Sequence, residues 1–126
     1  MSAESARFGE PEILNPEILD IVRSETRVEL TMAISERLLY FRGHFPGFAI
    51  LPGVVQLDWA IQYGREYFAL GEVRADEIRI KFRKPIRPNH RVTLILKYLP
   101  ARNSIQFDYR DADGACSSGQ IRFASE

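Results

Sequence analysis

The chain has 126 residues, 45% of them hydrophobic and 27% charged, which suits one ordinary globular domain with a substantial core. Lysine plus arginine and aspartate plus glutamate number 17 each, so the formal net charge is zero. This balance argues against a dedicated nucleic-acid binder, because such proteins carry a strongly basic surface.

We expect no export signal in the first part of the chain. Residues 1–10 are small and polar, and we expect them to be loosely ordered. No basic-then-apolar leader and no apolar run of membrane-spanning length is present. The single cysteine, Cys116, cannot form an internal disulfide, and we interpret it as a small buried strand residue. We therefore expect a single domain over residues 1–126, located in the reducing cytoplasm.

The segment before the helix contains turns, alternating residues and a loop. A near-repeat over residues 11–20 predicts two proline-started turns, the second a candidate short helix. Residues 28–34 alternate apolar and polar side chains, which predicts a strand with one buried face. A second short strand is predicted over 38–41, and a loop rich in glycine and proline follows.

Pro52 and Gly53 open a predicted helix that runs to about Leu70, with Gly71 as a plausible stop. Its residues 54–63 are apolar on nearly every side, which is typical of a buried helix. A period of two returns after the helix and predicts strands over 78–82, 92–98, 105–109 and 115–124, with a hairpin turn at 111–114. The fold class is therefore α+β, an antiparallel sheet wrapped around one long central helix. One short chain can hardly cover such a helix, so we expect a dimer.

Polar side chains interrupt the apolar helix. Asp58 and Gln62 lie four residues apart and share one face, and Gln56 is the other exception. A carboxylate in apolar surroundings is costly unless it is paired or has a function. Asp58 is therefore a candidate acid that Gln62 orients. The structural alternative, a carboxylate bonded to backbone donors at the helix start, stays open.

Two histidines are present, and their surroundings differ. His90 follows Pro88 and Asn89 in a predicted turn, where a solvated side chain is expected. His44 lies in the glycine- and proline-rich loop between phenylalanines, where a histidine can act as a base near pH 7. A satisfied loop histidine without catalytic function remains the alternative.

Gly53 supplies a third chemical group. Its N–H is one of the unpaired amides of the first helical turn, at the positive end of the helix dipole. Removing a proton beside a thioester carbonyl needs a base, an amide for the enolate oxygen and an acid for the leaving hydroxyl. His44, Gly53 and Asp58 can supply these in turn. The chain contains no phosphate-binding loop, nucleophilic serine motif or metal-ligand cluster that would indicate other chemistry.

These residues also form a family motif. The runs Gly43-His-Phe-Pro46 and Leu51-Pro-Gly-Val-Val55, followed by Asp58 and Gln62, resemble the 3-hydroxyacyl-[acyl-carrier-protein] dehydratases. Asp58 follows His44 by fourteen residues, the spacing of that family's catalytic pair. Residues 81–88 resemble a strand-and-turn segment of the same family, so that the resemblance covers residues 28–123.

The resemblance implies a hotdog-fold dimer with two active sites at its interface, where His44 of one chain faces Asp58 of the other. It implies an acyl tunnel along the helix and no metal or cofactor beyond the phosphopantetheine arm of acyl carrier protein. The larger dehydratase branch has glutamate in place of Asp58, and the aspartate resembles the branch that can also isomerise the new double bond. That branch and others usually have proline in place of Ala49, so neither branch fits fully. Residues 40–46 and 50–59 are most similar to the dehydratases of aryl polyene clusters. A homodimer is expected, with a heterodimer of related hotdog subunits as the alternative.

Two other functions remain open on the sequence alone. A hotdog thioesterase would use a carboxylate to activate water and would not need His44. A non-catalytic acyl-binding subunit would bind carrier-linked chains without turnover. An acidic carrier would need a basic landing site, for which Arg83, Lys84 and Arg87 are candidates. A solvated strand face is the alternative interpretation of these cations.

Overall fold

The computed structural model describes residues 13–42 and 49–124, apart from the side chains of Ala75 and Asp76. Six strands and one long helix form a single layered unit. Short 3-10 turns lie at Leu39–Phe41 and Pro100–Arg102. The strands are β1 Glu17–Arg23, β2 Arg27–Ile34, β3 Val73–Phe82, β4 His90–Leu99, β5 Ser104–Asp111 and β6 Gly114–Phe123, and the helix is α1 Gly53–Tyr67.

All six strands belong to one antiparallel sheet in the order β1-β2-β4-β5-β6-β3. The helix follows β2 in the chain, and β3 after it pairs with β6 at the far edge. One sheet face packs on α1, so that the apolar residues of β2 and β4 meet Trp59 and Ala60 in one core. This is the predicted hotdog arrangement, a sheet wrapped around one helix.

Strand β2 confirms the alternating pattern, because Val28, Leu30, Met32 and Ile34 are all buried while the residues between them are partly exposed. The predicted hairpin is also present. Strands β5 and β6 meet at Asp111 and Gly114, and Gly114 adopts a positive φ of 126°.

Two predictions before the helix are wrong. The expected turn or short helix after Pro16 is strand β1, which pairs with β2 along its whole length with an irregularity at Leu19. The expected short strand over 38–41 is a 3-10 turn, and only Leu38 makes an isolated bridge, to Ile13. The prediction that residues 1–10 are loosely ordered lies outside the described residues.

The helix ends at Tyr67, three residues before the predicted Leu70. Phe68 turns to extended backbone, with φ −130° and ψ 149°, and its buried ring stacks on Tyr98 at 5.1 Å between centroids. Burial of the Phe68 ring stabilises the extended backbone at this residue, so the helix does not continue past Tyr67. Among the described residues no helix is long and apolar enough to cross a membrane.

Candidate active site

The first turn of α1 leaves backbone amides without a side-chain cap. Pro52 occupies the N-cap position and makes no side-chain hydrogen bond to the helix. The amides of Val55 and Gln56 both donate to the carbonyl of Pro52, at 3.1 and 3.2 Å. The Gly53 N–H lies at the positive end of the helix dipole, where a carbonyl or enolate oxygen is stabilised.

An aromatic ring covers the Cα of Gly53. A Cβ built on Gly53 would lie 2.5 Å from Cζ of Phe82, at the end of β3. The Phe82 side chain is nevertheless 56% exposed, so its ring forms part of an open apolar surface beside the Gly53 amide. A side chain at this position would have to displace the Phe82 ring, which packs where the Cβ would lie.

The exposed face of α1 carries the other candidate groups. Val54, Asp58 and Gln62 recur at intervals of four and all lie exposed, with Val54 at 72%. Asp58 and Gln62 thus share one face, as predicted. The expectation of a helix buried on every side is wrong for the single chain, because only the face with Trp59 and Tyr63 contacts the sheet.

The candidate base, His44, lies outside the described residues. The described chain resumes at Ala49, and the Leu51 N–H donates to the carbonyl of Ile86 at 2.8 Å. The second histidine is placed as expected. His90 is exposed at the first position of β4, with Nδ1 2.9 Å from the carbonyl oxygen of Pro88.

A buried polar network lies beneath the first turn of α1. Gln56 is only 3% exposed; its Nε2 donates to the carbonyl of Leu51 at 3.0 Å, and its Oε1 accepts from Ser117 Oγ at 2.7 Å. The Tyr109 hydroxyl donates to the Gln56 carbonyl at 2.6 Å, and burial raises the pKa of Tyr109 well above its usual value. Sequence reasoning noted Gln56 as an exception but missed Ser117 and Tyr109, since both sit in strands that read as ordinary core.

The basic candidates for carrier docking are not equivalent. Lys84 Nζ lies 2.6 Å from Asp111 Oδ1, and this hydrogen bond lowers the pKa of Asp111 and raises that of Lys84. The pair therefore stays charged at neutral pH and is lost only as pH falls through the pKa of Asp111 or rises through that of Lys84. Arg83 and Arg87 are exposed. Lys84 is thus a structural ion-pair partner as well as a docking candidate.

The thiol of Cys116 lies next to this ion pair and is buried, as predicted. Burial, followed by the charge of Asp111, raises its pKa to about 11. Such a thiol is almost entirely protonated at neutral pH and is a poor nucleophile. Within residues 13–42 and 49–124, no group of three His, Cys, Asp or Glu side chains is placed to hold a metal ion.

Comparison with known proteins identifies the family of this chain. Residues 20–120 match the family described as ApeI-like, the ApeI dehydratase. The chain belongs to the ApeI-like dehydratase family. The match spans the helix with Gly53, Asp58 and Gln62, and most of the sheet.

Curated relatives of this ApeI-like chain include 3-hydroxyacyl-[acyl-carrier-protein] dehydratases. The protein of Syntrophobacter fumaroxidans is 32% identical over 100 residues, which cover 73% of this chain and 67% of the relative. That of Clostridium perfringens is 29% identical over 125 residues, which cover 90% of this chain and 88% of the relative.

Solved structures agree on the hotdog architecture. A chain of the dehydratase heterocomplex ApeI:P from Xenorhabdus doucetiae aligns with a TM-score of 0.77 at 24% identity, covering 89% of this chain and all of that one. An uncharacterized protein from Erwinia carotovora aligns with a TM-score of 0.73 at 32% identity, covering 88% and 97%. Mouse thioesterase superfamily member 2 shares the fold, with a TM-score of 0.62 at 11% identity, covering 81% and 77%.

Proposed function

We propose that this ApeI-like chain removes water from a 3-hydroxyacyl thioester carried on acyl carrier protein and releases the trans-2-enoyl thioester. The observation that carries the proposal is the placement of Gly53 and Asp58 at the start of one helix. Gly53 begins the helix beside the exposed Phe82 ring, and Asp58, five residues further along, is exposed. The named activity of the curated relatives supports this choice of substrate.

In the proposed reaction His44 acts as the base and takes the proton from C2 of the acyl chain. The C2–H electron pair forms the C2–C3 double bond through an enolate whose oxygen the Gly53 N–H stabilises. The C3–O bond breaks, and the hydroxyl leaves as water with a proton from Asp58. Gln62, one turn further along the same face, orients the Asp58 carboxyl. Proton return from His44 to Asp58 completes the cycle, and the direction of each transfer reverses for hydration.

The proposed site needs a second chain to enclose it. The stripe formed by Val54, Asp58 and Gln62 is exposed, and β3 beside it is a sheet edge with an exposed Phe82. An exposed apolar surface next to an open strand edge is typical of a subunit interface. We propose a homodimer in which His44 of one chain faces Asp58 of the other. A heterodimer is the alternative, since the Xenorhabdus doucetiae relative forms a heterocomplex.

The proposed carrier-docking surface comprises Arg83 and Arg87, with Lys84 as a weaker contributor because of its Asp111 partner. Arg83→Glu should weaken binding of acyl carrier protein about tenfold at low salt, since exposed charges steer association and are screened by salt. The measurement is carrier affinity against ionic strength. Lys97→Glu, an exposed lysine on β4, is the charge-matched control. Equal affinity of wild type and Arg83→Glu for the carrier at every salt concentration would exclude this surface as the docking site.

The product of the reaction separates the proposal from its alternatives. Wild-type protein incubated with aryl and aliphatic 3-hydroxyacyl carriers should yield carrier-bound enoyl chains that have lost one water, without release of free thiol. Conjugated aryl products also absorb at longer wavelength than their precursors. Free thiol with water retained would indicate a thioesterase, and binding without turnover would indicate a non-catalytic subunit.

The proposed pathway is supported by the family match and not by the site geometry. We propose aryl polyene biosynthesis in the cytoplasm, with fatty-acid synthesis as the alternative, on the basis of the ApeI-like match. The proposed chemistry requires no metal or bound cofactor, since the thioester on the phosphopantetheine arm activates C2 by itself. The substrate panel above therefore also tests the pathway, through the preference for aryl over aliphatic chains.

A further inference from the structure

The buried Gln56 network has no part in the proposed reaction steps, yet it lies directly under the amide that the reaction needs. Gln56 is one turn into α1, on the face that packs on the sheet. Burying the primary amide of a glutamine costs free energy unless each of its polar atoms makes a hydrogen bond. Both ends of this side chain do find partners, at 3.0 and 2.7 Å.

The two partners belong to different parts of the fold. Nε2 reaches back five residues to the carbonyl of Leu51, just before the helix. Oε1 accepts from Ser117 on β6, so one side chain joins the helix entry to the sheet. Leu51 is held a second time, because its N–H donates to Ile86 in the connection between β3 and β4. The backbone entering α1 is therefore fixed from two sides.

The hydrogen bond to Leu51 is a tether and not a helix cap. Pro52 has no side-chain group that could cap the first turn. Gln56 Nε2 donates to the carbonyl of Leu51, the residue before the N-cap, and so does not occupy the first-turn amides. The same side chain is also anchored to the sheet through Ser117. The direction of the Gly53 N–H thus depends on where Gln56 holds Leu51.

We propose that Gln56 is a positioning residue that fixes the Leu51–Gly53 backbone against β6 and so aims the Gly53 amide at the thioester oxygen. This rests on the proposed dehydratase function for its catalytic consequence. Displacement of a catalytic group by about 1 Å costs on the order of 100-fold in rate. Ser117 contributes to the same positioning through the Oε1 bond, and Tyr109 supports it from the main-chain side.

The matched variants are Gln56→Met, Gln56→Glu and Ser117→Ala. Gln56→Met keeps the shape and loses both hydrogen bonds, so kcat should fall about 10- to 100-fold while KM changes less than about threefold. Ser117→Ala keeps the Leu51 bond and should lose only a few-fold in kcat, on the same reasoning. Leu96→Val, which leaves a small cavity in the buried centre of the sheet, should lower stability and leave kcat unchanged.

Gln56→Glu supplies a pH-dependent rescue. Its neutral carboxyl can donate to Leu51 and accept from Ser117, whereas the ionised form cannot donate. Since burial favours the neutral form, kcat should be close to wild type at low pH. It should then fall as pH rises through the pKa of the new carboxyl, with no matching step in the wild-type profile. A role in stability alone would leave kcat of the folded protein independent of this titration.

Amide hydrogen exchange tests the positioning without any substrate. In Gln56→Met, exchange over residues 51–55 should rise about tenfold or more while exchange in β4 stays unchanged. Unchanged exchange in this segment would overturn the proposal, and so would wild-type kcat in a folded Gln56→Met protein. If the wild-type protein dehydrates no carrier substrate, the proposed function fails, and hydrogen exchange alone decides whether Gln56 holds the helix entry.

Discussion

His44→Ala is expected to lower kcat for dehydration of a 3-hydroxyacyl carrier by about 10²- to 10⁴-fold, because the C2 proton loses its positioned base. Carrier affinity should change little, since His44 is not among the exposed cations proposed for docking. The measurement is single-turnover formation of the enoyl thioester at saturating enzyme. Single turnover separates the chemical step from substrate binding and product release.

His90→Ala is the matched control for this experiment, since the only other histidine is exposed at the start of β4. It should retain wild-type kcat. The His44→Ala protein should also keep the wild-type circular dichroism spectrum and oligomeric state. A folded His44→Ala protein that dehydrates the substrate at nearly the wild-type rate would exclude His44 as the base.

Asp58→Asn is expected to have an effect of similar size, about 10²- to 10⁴-fold on kcat, because an amide cannot give a proton to the leaving hydroxyl. The substitution keeps the shape of the side chain, so the protein should stay folded and keep the wild-type oligomeric state. The measurement pairs kcat with chemical denaturation of the same preparation.

Gln62→Ala is the comparison variant for the loss of kcat in Asp58→Asn. It should lower kcat by roughly tenfold or less, since it removes an orienting group and leaves the acid in place. Equal losses for Gln62→Ala and Asp58→Asn would mean that Asp58 acts by holding structure rather than by transferring a proton. Full activity of Asp58→Asn would show that Asp58 does not donate the proton to the leaving hydroxyl.

The two strands before the helix show what the sequence pattern could predict. In β2 every second residue is buried, so alternation identified it correctly. In β1 almost every residue is exposed, because it lies at the sheet edge and its register shifts at Leu19. An edge strand without a buried face has no period of two for sequence reasoning to detect.

For the helix, the sequence pattern predicted more burial than the structure shows. Its apolar residues predicted burial on all sides, but a single sheet covers only the face with Trp59 and Tyr63. The exposed stripe formed by Val54, Asp58 and Gln62 contains one apolar and two polar side chains, as expected for an interface that also holds catalytic groups. Sequence alone could not show which of the apolar helix residues the sheet of the same chain covers.

The helical placement of the candidate residues was predictable from the sequence, and the hydrogen bonds beneath them were not. Gly53, Asp58 and Gln62 were identified from helical spacing and helix-end physics. The hydrogen bonds from Gln56 to Leu51 and Ser117 join residues up to 61 positions apart, and no local pattern encodes such a distance. The pairing of Lys84 with Asp111, 27 residues away, was hidden for the same reason.

Mixing two inactive variants tests the central claim most directly. In a homodimer whose sites each combine His44 of one chain with Asp58 of the other, a His44→Ala/Asp58→Asn mixed dimer has one site with both substitutions and one intact site. After subunit exchange of equal amounts, half of the dimers are mixed, so dehydration should return to about a quarter of the wild-type rate per chain. No recovery in demonstrably mixed dimers would contradict a dehydratase site built from His44 and Asp58 of two chains.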